Sequence, residues 1–558
     1  MGMWLLLLLI KTILLCLQMN NRYSISLLFL MVAFSSLAAD AFEVEGVWYE
    51  PTSESTVMVV EKPSSGTDGT GIIFRNCYEG DVIIAQMVSF EGVDYVVTAI
   101  KDGTFRQSEK LTGVTFPASL IDMGTMPFAD CPNLSSIIVH PENPAFAVVD
   151  GLLYDKRMET LITCPGAREA EVSIPSSVTT ISPSAFRGCR LTEIVIPRNV
   201  SQLGQCAFMR CAQLSKVSMA DGITAIPDSA FCNCTSLTDI SFPTTVKTIG
   251  VNAFYHCDKL ISLQLPTALE LIGDNAFDLC YGLKTVSFPE GLASIGKWAF
   301  DNCSRISSLV IPSSVNDIAP TAFSGCSGLK SIVVADGNAS YESLDGVLFD
   351  KGQTSLICYP GSKTGAYTVP SSVNTIGEYS FYYSTQLKNI TIPSSVTTIG
   401  SNAFRLCTVL KGITLPSSVT SLGDNLFRAC SALQAIVYYA DTPPEISSST
   451  FTSTNYNVPL HVLNRALDNY KNAPYWSQFS TILPIDGTVV DGMLGDVNND
   501  SYINMSDVTI IINYILGKEV TDFKWQLADM NFDGFVNMSD VTSIINFILG
   551  KTTEVTDK

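Results

Sequence analysis

The sequence is poor in histidine, in charged residues and in long apolar runs. Only three histidines occur among 558 residues, His140, His256 and His461, which disfavours a histidine-based catalytic triad or a histidine-rich zinc site. Charged residues make up 15% of the chain, against about 25% in a typical globular protein. Because nucleic-acid binding needs concentrated Lys and Arg, the net charge of −20 argues against that partner. Hydrophobic residues at 46% exclude a disordered chain, since they provide ample apolar surface to bury.

Two apolar runs occupy the N-terminus, and each is shorter than the roughly 20 residues that span a bilayer. The second run has the parts of a secretory signal: a positive start at Arg22, an apolar stretch and small residues around position 41. We therefore predict a signal region over residues 1–41, with residues 1–18 upstream of the true start at Met19, and an exported mature chain without a membrane span. The alternative is a two-pass membrane hairpin, which Lys11 and Arg22 disfavour by interrupting the apolar stretch.

Phenylalanine recurs along the chain with a nearly fixed period. Most steps are 23 residues, one is 22, one is 24 and two are 58. Because 58 is 23 plus 35, a 35-residue insert occurs twice, at about residues 140–174 and 335–369, and each insert predicts a β-hairpin. The thirteen phenylalanines are Phe105, Phe128, Phe186, Phe208, Phe231, Phe254, Phe277, Phe300, Phe323, Phe381, Phe404, Phe427 and Phe451.

The 23-residue unit has a strand pattern followed by a turn. In residues 387–407 the alternating Ile390 and Ile392 predict a strand with one buried face. Pro393 ends the strand, since proline cannot donate to a ladder, and Phe404 then enters the interior. A unit of this size cannot bury its own apolar face, so its neighbours must stack on it. The sequence therefore predicts a mainly β solenoid of about 13 coils over residues 99–455, with the two hairpin inserts.

This unit resembles the leucine-rich repeats of BspA-like bacterial surface proteins. The resemblance implies a leucine-rich-repeat solenoid with a β-rich N-terminal cap over residues 42–98 and a C-terminal cap over residues 456–486. Caps are needed because an open end would expose core residues and unpaired strand edges.

Ten of the 16 cysteines lie three residues after a repeat phenylalanine. Neighbouring coils about 5 Å apart would bring them within disulfide range, and exported proteins form disulfides. The same slot holds Ser108, Ser384 and Thr454 in other units, which favours a need for a small side chain. We predict buried thiols, with disulfides as the alternative. The ten are Cys131, Cys189, Cys211, Cys234, Cys257, Cys280, Cys303, Cys326, Cys407 and Cys430.

The residue between the two inward strand positions forms an exposed column, here named the repeat face. It contains no carboxylate, and the column beside it brings only Glu193 and Asp239 near each other, two coils apart. A glycosidase needs two carboxyl groups about 5–10 Å apart, so we interpret this pair as part of a solvated surface. The repeat face suits contact with a protein or a glycan. Its members are Val195, Ser218, Ser241, Gln264, Ser287, Val310, Val333, Thr391, Thr414 and Val437.

After a linker at residues 487–493, two acidic 12-residue loops follow 33 residues apart, each leading into an apolar helical pattern. Oxygen ligands at loop positions 1, 3, 5, 9 and 12, with a backbone carbonyl at position 7, suit calcium, so we predict two calcium ions. The first set is Asp496, Asn498, Asp500, Tyr502 (carbonyl), Asn504 and Asp507. The second set is Asp529, Asn531, Asp533, Phe535 (carbonyl), Asn537 and Asp540.

A single helix after each loop, without the helix that precedes an ordinary EF-hand loop, resembles a type I dockerin over residues 494–551. The resemblance implies calcium-dependent folding and docking to a cohesin module on a scaffold or cell-surface protein. The implied cohesin contacts are Met505, Ser506, Met538 and Ser539. They agree between the two copies, so the module could dock in either of two orientations.

These features together predict a secreted, non-enzymatic binding or adhesion protein. Its repeat face would recognise a host protein or a glycan, and its dockerin would hold it at the cell surface through cohesin. The alternative is a cohesin-attached component of polysaccharide catabolism, because dockerins mostly accompany carbohydrate-active enzymes. A third interpretation is a spacer without a ligand.

Overall fold

The computed structural model describes residues 41–549, apart from 64, 65, 68–72, 75, 76, 170, 453, 454, 486–494, 499–502, 522 and 531–534. The chain divides into two compact units, Met1–Ala170 with Pro175–Arg190 and Glu171–Ile174 with Leu191–Lys558. Most of the expected signal region, residues 1–40, lies outside the described residues. Within the described part, no helix has the length and hydropathy to cross a membrane.

The first unit opens with strands that cap its coils. Gly80–Ile83 pairs in parallel with the first coil strand, Leu111–Phe116, and Val93–Ile100 pairs in parallel with Asp122–Met123. The open edge of the first coil is thereby covered. The strands before the first coil are Phe42–Val44, Val47–Pro51, Thr56–Val60, Gly66–Thr67, Ile73–Phe74, Gly80–Ile83, Met87–Phe90 and Val93–Ile100. The coil strands of this unit are Leu111–Phe116, Asp122–Met123, Ser136–Val139 and Thr180–Ile181.

In the second unit the longer coil strands pair in parallel with a register of one 23-residue repeat, so that Glu193 lies opposite Lys216 and Lys216 opposite Asp239. The predicted alternation holds, since Ile194 and Ile196 are buried while Val195 between them is 63% exposed. These strands are Glu193–Ile196, Lys216–Met219, Asp239–Ser241, Ser262–Gln264, Thr285–Ser287, Ser308–Ile311, Ser331–Val334, Gly365–Thr368, Leu387–Thr391, Gly412–Leu415 and Ala435–Tyr438.

A second column of short parallel strands precedes the turn of each coil, and the repeat phenylalanines stack behind it. The rings of Phe231, Phe254 and Phe277 follow one another at centroid distances of 5.2 Å, close to the strand spacing of about 4.8 Å. The short strands of the second unit are Gln202–Leu203, Ala225–Ile226, Thr248–Ile249, Leu271–Ile272, Ser294–Ile295, Asp317–Ile318, Thr375–Ile376, Thr398–Ile399 and Ser421–Leu422.

Most cysteines that lie three residues after a repeat phenylalanine donate a hydrogen bond to the coil before them. The Sγ atom of Cys257 donates to the Phe231 carbonyl oxygen at 3.3 Å, and that of Cys280 to the Phe254 carbonyl oxygen at 3.2 Å. Burial raises the pKa of Cys280 to about 12. None of the described cysteines is in a disulfide bond. The slot therefore holds a small, buried side chain, and serine occupies it in other coils, at Ser108 and Ser384.

Each insert is a three-stranded antiparallel meander, one strand more than the expected hairpin. In the first unit the third strand, Thr160–Thr163, also pairs in parallel with the coil strand Thr180–Ile181, which joins the meander to the stack. The meander strands are Phe146–Val149, Leu152–Asp155 and Thr160–Thr163 in the first unit, and Tyr341–Leu344, Val347–Asp350 and Ser355–Cys358 in the second.

The last coil is continued by a different kind of structure. Leu460–Val462 pairs in parallel with Ala435–Tyr438, and Ile482–Pro484 pairs in parallel with Leu460–Val462. Buried Trp476 packs behind these strands on Phe451, with the ring centroids 5.3 Å apart. The α-helices are Leu467–Asn472, Met505–Ile515, Trp525–Ala528 and Met538–Ile548, and the 3-10 helices are Asn455–Asn457, Asn464–Ala466 and Trp476–Gln478.

Candidate calcium centre and repeat face

The repeat face is exposed in its first part. Val195, Val310 and Val333 are all about half exposed or more, so short apolar side chains stand in water between small polar ones. In the neighbouring column, Lys216 lies in register between Glu193 and Asp239. The three side chains form a row of alternating charge. Lys216 thus separates the two carboxylates, whereas a glycosidase would need to place them around one bond.

The last part of the repeat face is covered, contrary to the expectation of an exposed column. Thr391 and Thr414 are half-buried, and Val437 is only 2% exposed. Thr391 and Thr414 line a crevice together with Tyr514 and Phe535. The alternation of the strand could not predict the covering of Thr391 and Thr414, because Tyr514 and Phe535 come from a C-terminal helix and loop.

The first predicted calcium loop holds two buried carboxylates, Asp496 and Asp507. The Oδ1 atom of Asp507 accepts from the Val497 N–H at 2.9 Å, and its Oδ2 atom accepts from the Asn504 N–H at 2.9 Å. Asn504 in turn caps the following helix, since its Oδ1 atom accepts from the Ser506 N–H at 2.7 Å. This reciprocal arrangement is a capping box. It fixes the end of the loop against the start of the helix.

The second loop repeats this geometry. Asp529 and Asp540 are buried. Asp540 accepts from the Met530 N–H at 2.8 Å through Oδ1 and from the Asn537 N–H at 2.9 Å through Oδ2. The Asn537 Oδ1 atom accepts from the Ser539 N–H at 2.7 Å. Two loops of different sequence thus place the position-12 carboxylate in the same way.

The oxygen atoms of the described loop residues fit a hard cation as ligands. Burying ionised carboxylates costs several kcal/mol unless a cation or hydrogen bonds compensate, and each bonded carboxylate oxygen retains a further lone pair. Asn498 lies half-buried in the first loop, and Phe535 in the second. Four predicted ligands, Asp500, Tyr502, Asn531 and Asp533, lie outside the described residues. Within the described part of the chain, no three His, Cys, Asp or Glu side chains form a metal-binding group.

The two helices pack on each other through the apolar residues that the periodicity predicts. Val508 and Ile511 of the first helix and Val541 and Ile544 of the second are buried in one small core. The predicted cohesin contacts lie outside this core: Met505 and Met538 are each 57% exposed, and Ser506 and Ser539 are exposed beside them. The packing therefore leaves an apolar residue at the start of each helix in contact with water.

Two carboxylates that the sequence did not single out lie on neighbouring coils, directly after Phe277 and Phe300. Burial raises the pKa of Asp278 to about 6. Burial, with the charge of Asp278 as a second cause, raises the pKa of Asp301 to about 7. The Asn302 Nδ2 atom donates to Asp301 Oδ2 at 2.8 Å. Their position after the ladder ring was visible in the sequence, but the degree of burial was not.

A contact between a coil and the second loop was also not predicted. The Tyr439 hydroxyl donates to Asp529 Oδ2 at 2.8 Å. Tyr439 occupies the position at which coils such as those of Pro393 and Pro416 carry proline. Because Ala220 and Ala335 also replace this proline in other coils, the sequence carried no specific signal for the contact.

Comparison with known proteins agrees with the two kinds of architecture. The family model described as "BspA type Leucine rich repeat region" matches in six copies over residues 73–146, 168–281, 247–350 and 355–462. The model described as "Dockerin type I domain" matches residues 494–549. None of the curated proteins compared with the chain matches it.

Solved structures of bacterial leucine-rich proteins are similar to the chain. A leucine-rich repeat protein from Eubacterium ventriosum is 31% identical over 49% of this chain and 73% of its own, with a TM-score of 0.42. One from Bacteroides ovatus is 23% identical over 80% of this chain and 100% of its own, with a TM-score of 0.41. A leucine rich cell surface protein from Faecalibacterium prausnitzii is 20% identical over 81% and 97%, with a TM-score of 0.41. The repeat model matches more than half of the residues of this chain. The chain therefore belongs to the BspA-type leucine-rich repeat proteins and carries a type I dockerin domain.

Proposed function

We propose that this chain is a secreted, non-enzymatic binding protein. Its dockerin attaches it to a cohesin-bearing scaffold or surface protein, and its repeat face binds a protein or glycan ligand. The observation that carries this proposal is the matched geometry of the two acidic loops, in which Asp507 and Asp540 accept the same pair of backbone hydrogen bonds. A repeated arrangement of buried carboxylates, each in the first turn of a helix, is what a calcium-dependent docking module needs.

Two calcium ions would supply the positive charge for these loops. The first would be held by Asp496, Asn498, Asp500, Asn504, Asp507 and the Tyr502 carbonyl, and the second by Asp529, Asn531, Asp533, Asn537, Asp540 and the Phe535 carbonyl. The chain itself contributes the capping boxes that orient each position-12 carboxylate. Helix starts fixed in this way hold Met505, Ser506, Met538 and Ser539 in position as a surface for cohesin.

The exposed part of the repeat face supports the second half of the proposal. Its valines and small polar side chains form a flat surface without a cluster of like charge, which suits contact with another protein or with the faces of sugar rings. Binding at this surface would bury exposed apolar area, at about 25 cal/mol for each Å² removed from water.

A pull-down with a panel of cohesin modules tests the docking half. The purified full-length chain should be retained in calcium and lost in EDTA. The double variant Asp507→Ala/Asp540→Ala should not be retained, whereas Asp317→Ala, an exposed coil residue, should behave as wild type. Equal retention with and without calcium would refute calcium-dependent docking.

Binding arrays test the ligand half. The chain and the variant Val310→Glu are applied to glycan and host-protein arrays, and a ligand of the repeat face should be retained by the former and lost by the latter. Binding that Val310→Glu leaves unchanged would place the ligand elsewhere. Release of reducing sugar from polysaccharides by the purified chain would instead support a role in polysaccharide catabolism.

A further inference from the structure

The covered end of the repeat face is occupied by the dockerin of the same chain. Thr391 and Thr414, from neighbouring coil strands, line one side of a crevice whose other side is lined by Tyr514 and Phe535. Tyr514 lies near the end of the first dockerin helix, and Phe535 is position 7 of the second calcium loop. Helix and loop thus contact the sheet together.

The backbones approach closely at one edge of this contact. Gly517, just after the first dockerin helix, has φ +69°, and a Cβ atom there would lie 2.5 Å from the Ala366 backbone nitrogen. Only glycine meets both conditions, because the left-handed conformation disfavours other residues and the neighbouring strand leaves no room. Nearby, Lys388 Nζ lies 3.8 Å from Glu519 Oε1, a pair too exposed to contribute much.

The other edge of the contact reaches into the calcium loop. The Tyr439 hydroxyl donates to Asp529 Oδ2 at 2.8 Å, and Asp529 is the position-1 ligand of the second predicted set. Residues that hydrogen-bond a metal ligand fix its orientation, and their loss typically weakens metal binding about 10- to 100-fold. Through the Tyr439 hydroxyl, the last coil can therefore fix the orientation of Asp529 in the second loop.

We propose that the end of the repeat face, formed by Thr391, Thr414 and Tyr439, is a calcium-linked seat for this chain's own dockerin, with Tyr439 as a positioning residue for the second calcium site. This inference rests on the proposed function, because it requires the loops to bind calcium. Calcium at the second loop stabilises the seated arrangement, and by thermodynamic linkage the seat strengthens calcium binding by the same factor.

The seat is compatible with docking to a partner. Met505 and Met538 remain 57% exposed while Tyr514 and Phe535 lie in the crevice. The surface predicted for cohesin and the surface used against the coils are thus different parts of the module. The seated dockerin would hold the repeat face in a fixed orientation on the partner.

Calcium titration of the full-length chain by calorimetry tests the positioning role. Tyr439→Phe removes only the hydroxyl and should weaken one of two calcium sites about tenfold, leaving the other unchanged. Tyr475→Phe, a half-exposed tyrosine of the C-terminal cap, serves as the control and should match wild type. Equal affinities in all three proteins would overturn the link between Tyr439 and calcium.

Hydroxyl-radical footprinting of the full-length chain tests the seat itself. Calcium should protect the Tyr514 and Phe535 side chains from modification. Thr414→Glu places a larger, charged group in the crevice and should abolish this protection, whereas Ser287→Glu, at the equivalent exposed position of another coil, should preserve it. Protection that survives Thr414→Glu would overturn the seat.

The two proposals fail in distinguishable ways. A chain that binds no calcium overturns both. A chain that binds two ions and cohesin, but shows neither the Tyr439→Phe effect nor the Thr414→Glu effect, keeps the dockerin function and overturns the seat.

Discussion

Removal of one ring from the phenylalanine stack tests the packing on which the solenoid depends. Phe254 is fully buried, and its ring lies 5.2 Å from that of Phe231 and 5.2 Å from that of Phe277, with interplanar angles of 6° and 2°. Phe254→Ala therefore removes contacts with the coil before and the coil after. In a repeat protein these nearest-neighbour interfaces provide much of the stability.

The magnitude follows from burial and from three ring pairs, because Phe242 also packs edge-on against Phe254 with the centroids 5.7 Å apart. A buried Phe→Ala change costs about 3–5 kcal/mol. Phe254→Leu keeps most of the apolar area but loses three aromatic pairs, each contributing about 0.5–1.5 kcal/mol beyond burial, so we expect a loss of about 1.5–4.5 kcal/mol, smaller than that of Phe254→Ala. Val195→Ala, on the exposed repeat face, should change stability by less than about 0.5 kcal/mol.

Urea unfolding followed by far-ultraviolet circular dichroism measures these differences. The unfolding midpoint should fall in the order wild type and Val195→Ala, then Phe254→Leu, then Phe254→Ala. If Phe254→Ala lowered the midpoint no more than Val195→Ala does, the ring stack would not be a source of stability. If Phe254→Leu matched wild type, burial of apolar area alone would account for the contribution of Phe254 to stability.

Three further predictions concern titration, thiols and metal. Burial raises the pKa of Asp301 to about 7, so between about pH 4 and pH 7 the folded state keeps a proton that the unfolded state releases, and stability falls as pH rises. Asp301→Asn should therefore raise the urea midpoint at pH 8 and leave it unchanged at pH 4; the same shift at both pH values would contradict this. N-ethylmaleimide should leave Cys257 and Cys280 unmodified in the native chain at pH 8 and modify both after unfolding, and mass spectrometry would reveal any disulfide between them. EDTA should remove the helical dichroism of Met505–Ile515 and Met538–Ile548 while the β signal remains, and an unchanged spectrum would count against calcium-dependent folding.

The solenoid could be predicted because its determinants are local and repeated. One coil such as residues 387–407 contains an alternating strand, a proline that ends it and a ring that enters the core. Similar residue types recur at the same positions in the other coils. The inserts were predicted less completely: their similarity indicated a hairpin, but not the third strand, Thr160–Thr163 in the first insert, which lies between Leu152–Asp155 and the coil strand Thr180–Ile181. The pairing with the coil strand joins residues about 20 positions apart, and a local pattern does not specify such a partner.

In the C-terminal region, too, the sequence predicted only the features that have a local pattern. The helices after the two loops lie where the periodicity placed them, since their apolar residues form a local pattern. The burial of Val437 was missed, because alternation only specifies which side of the sheet a residue occupies. Whether that side meets water depends on what another part of the chain does, and a pattern within one strand carries no information on this point.

The last coil shows that a departure from the repeat pattern has to be combined with a contact before it indicates a role. Many coils carry proline directly after the strand, as at Pro393, but Ala220 occupies that position in a coil within the stack, so the absence of proline alone does not indicate an outside contact. What distinguishes Tyr439 is its hydroxyl group, which donates to Asp529. Under the two proposals for this chain, exposed coils such as the one with Val195 would face a ligand, whereas the last coil would seat the chain's own dockerin.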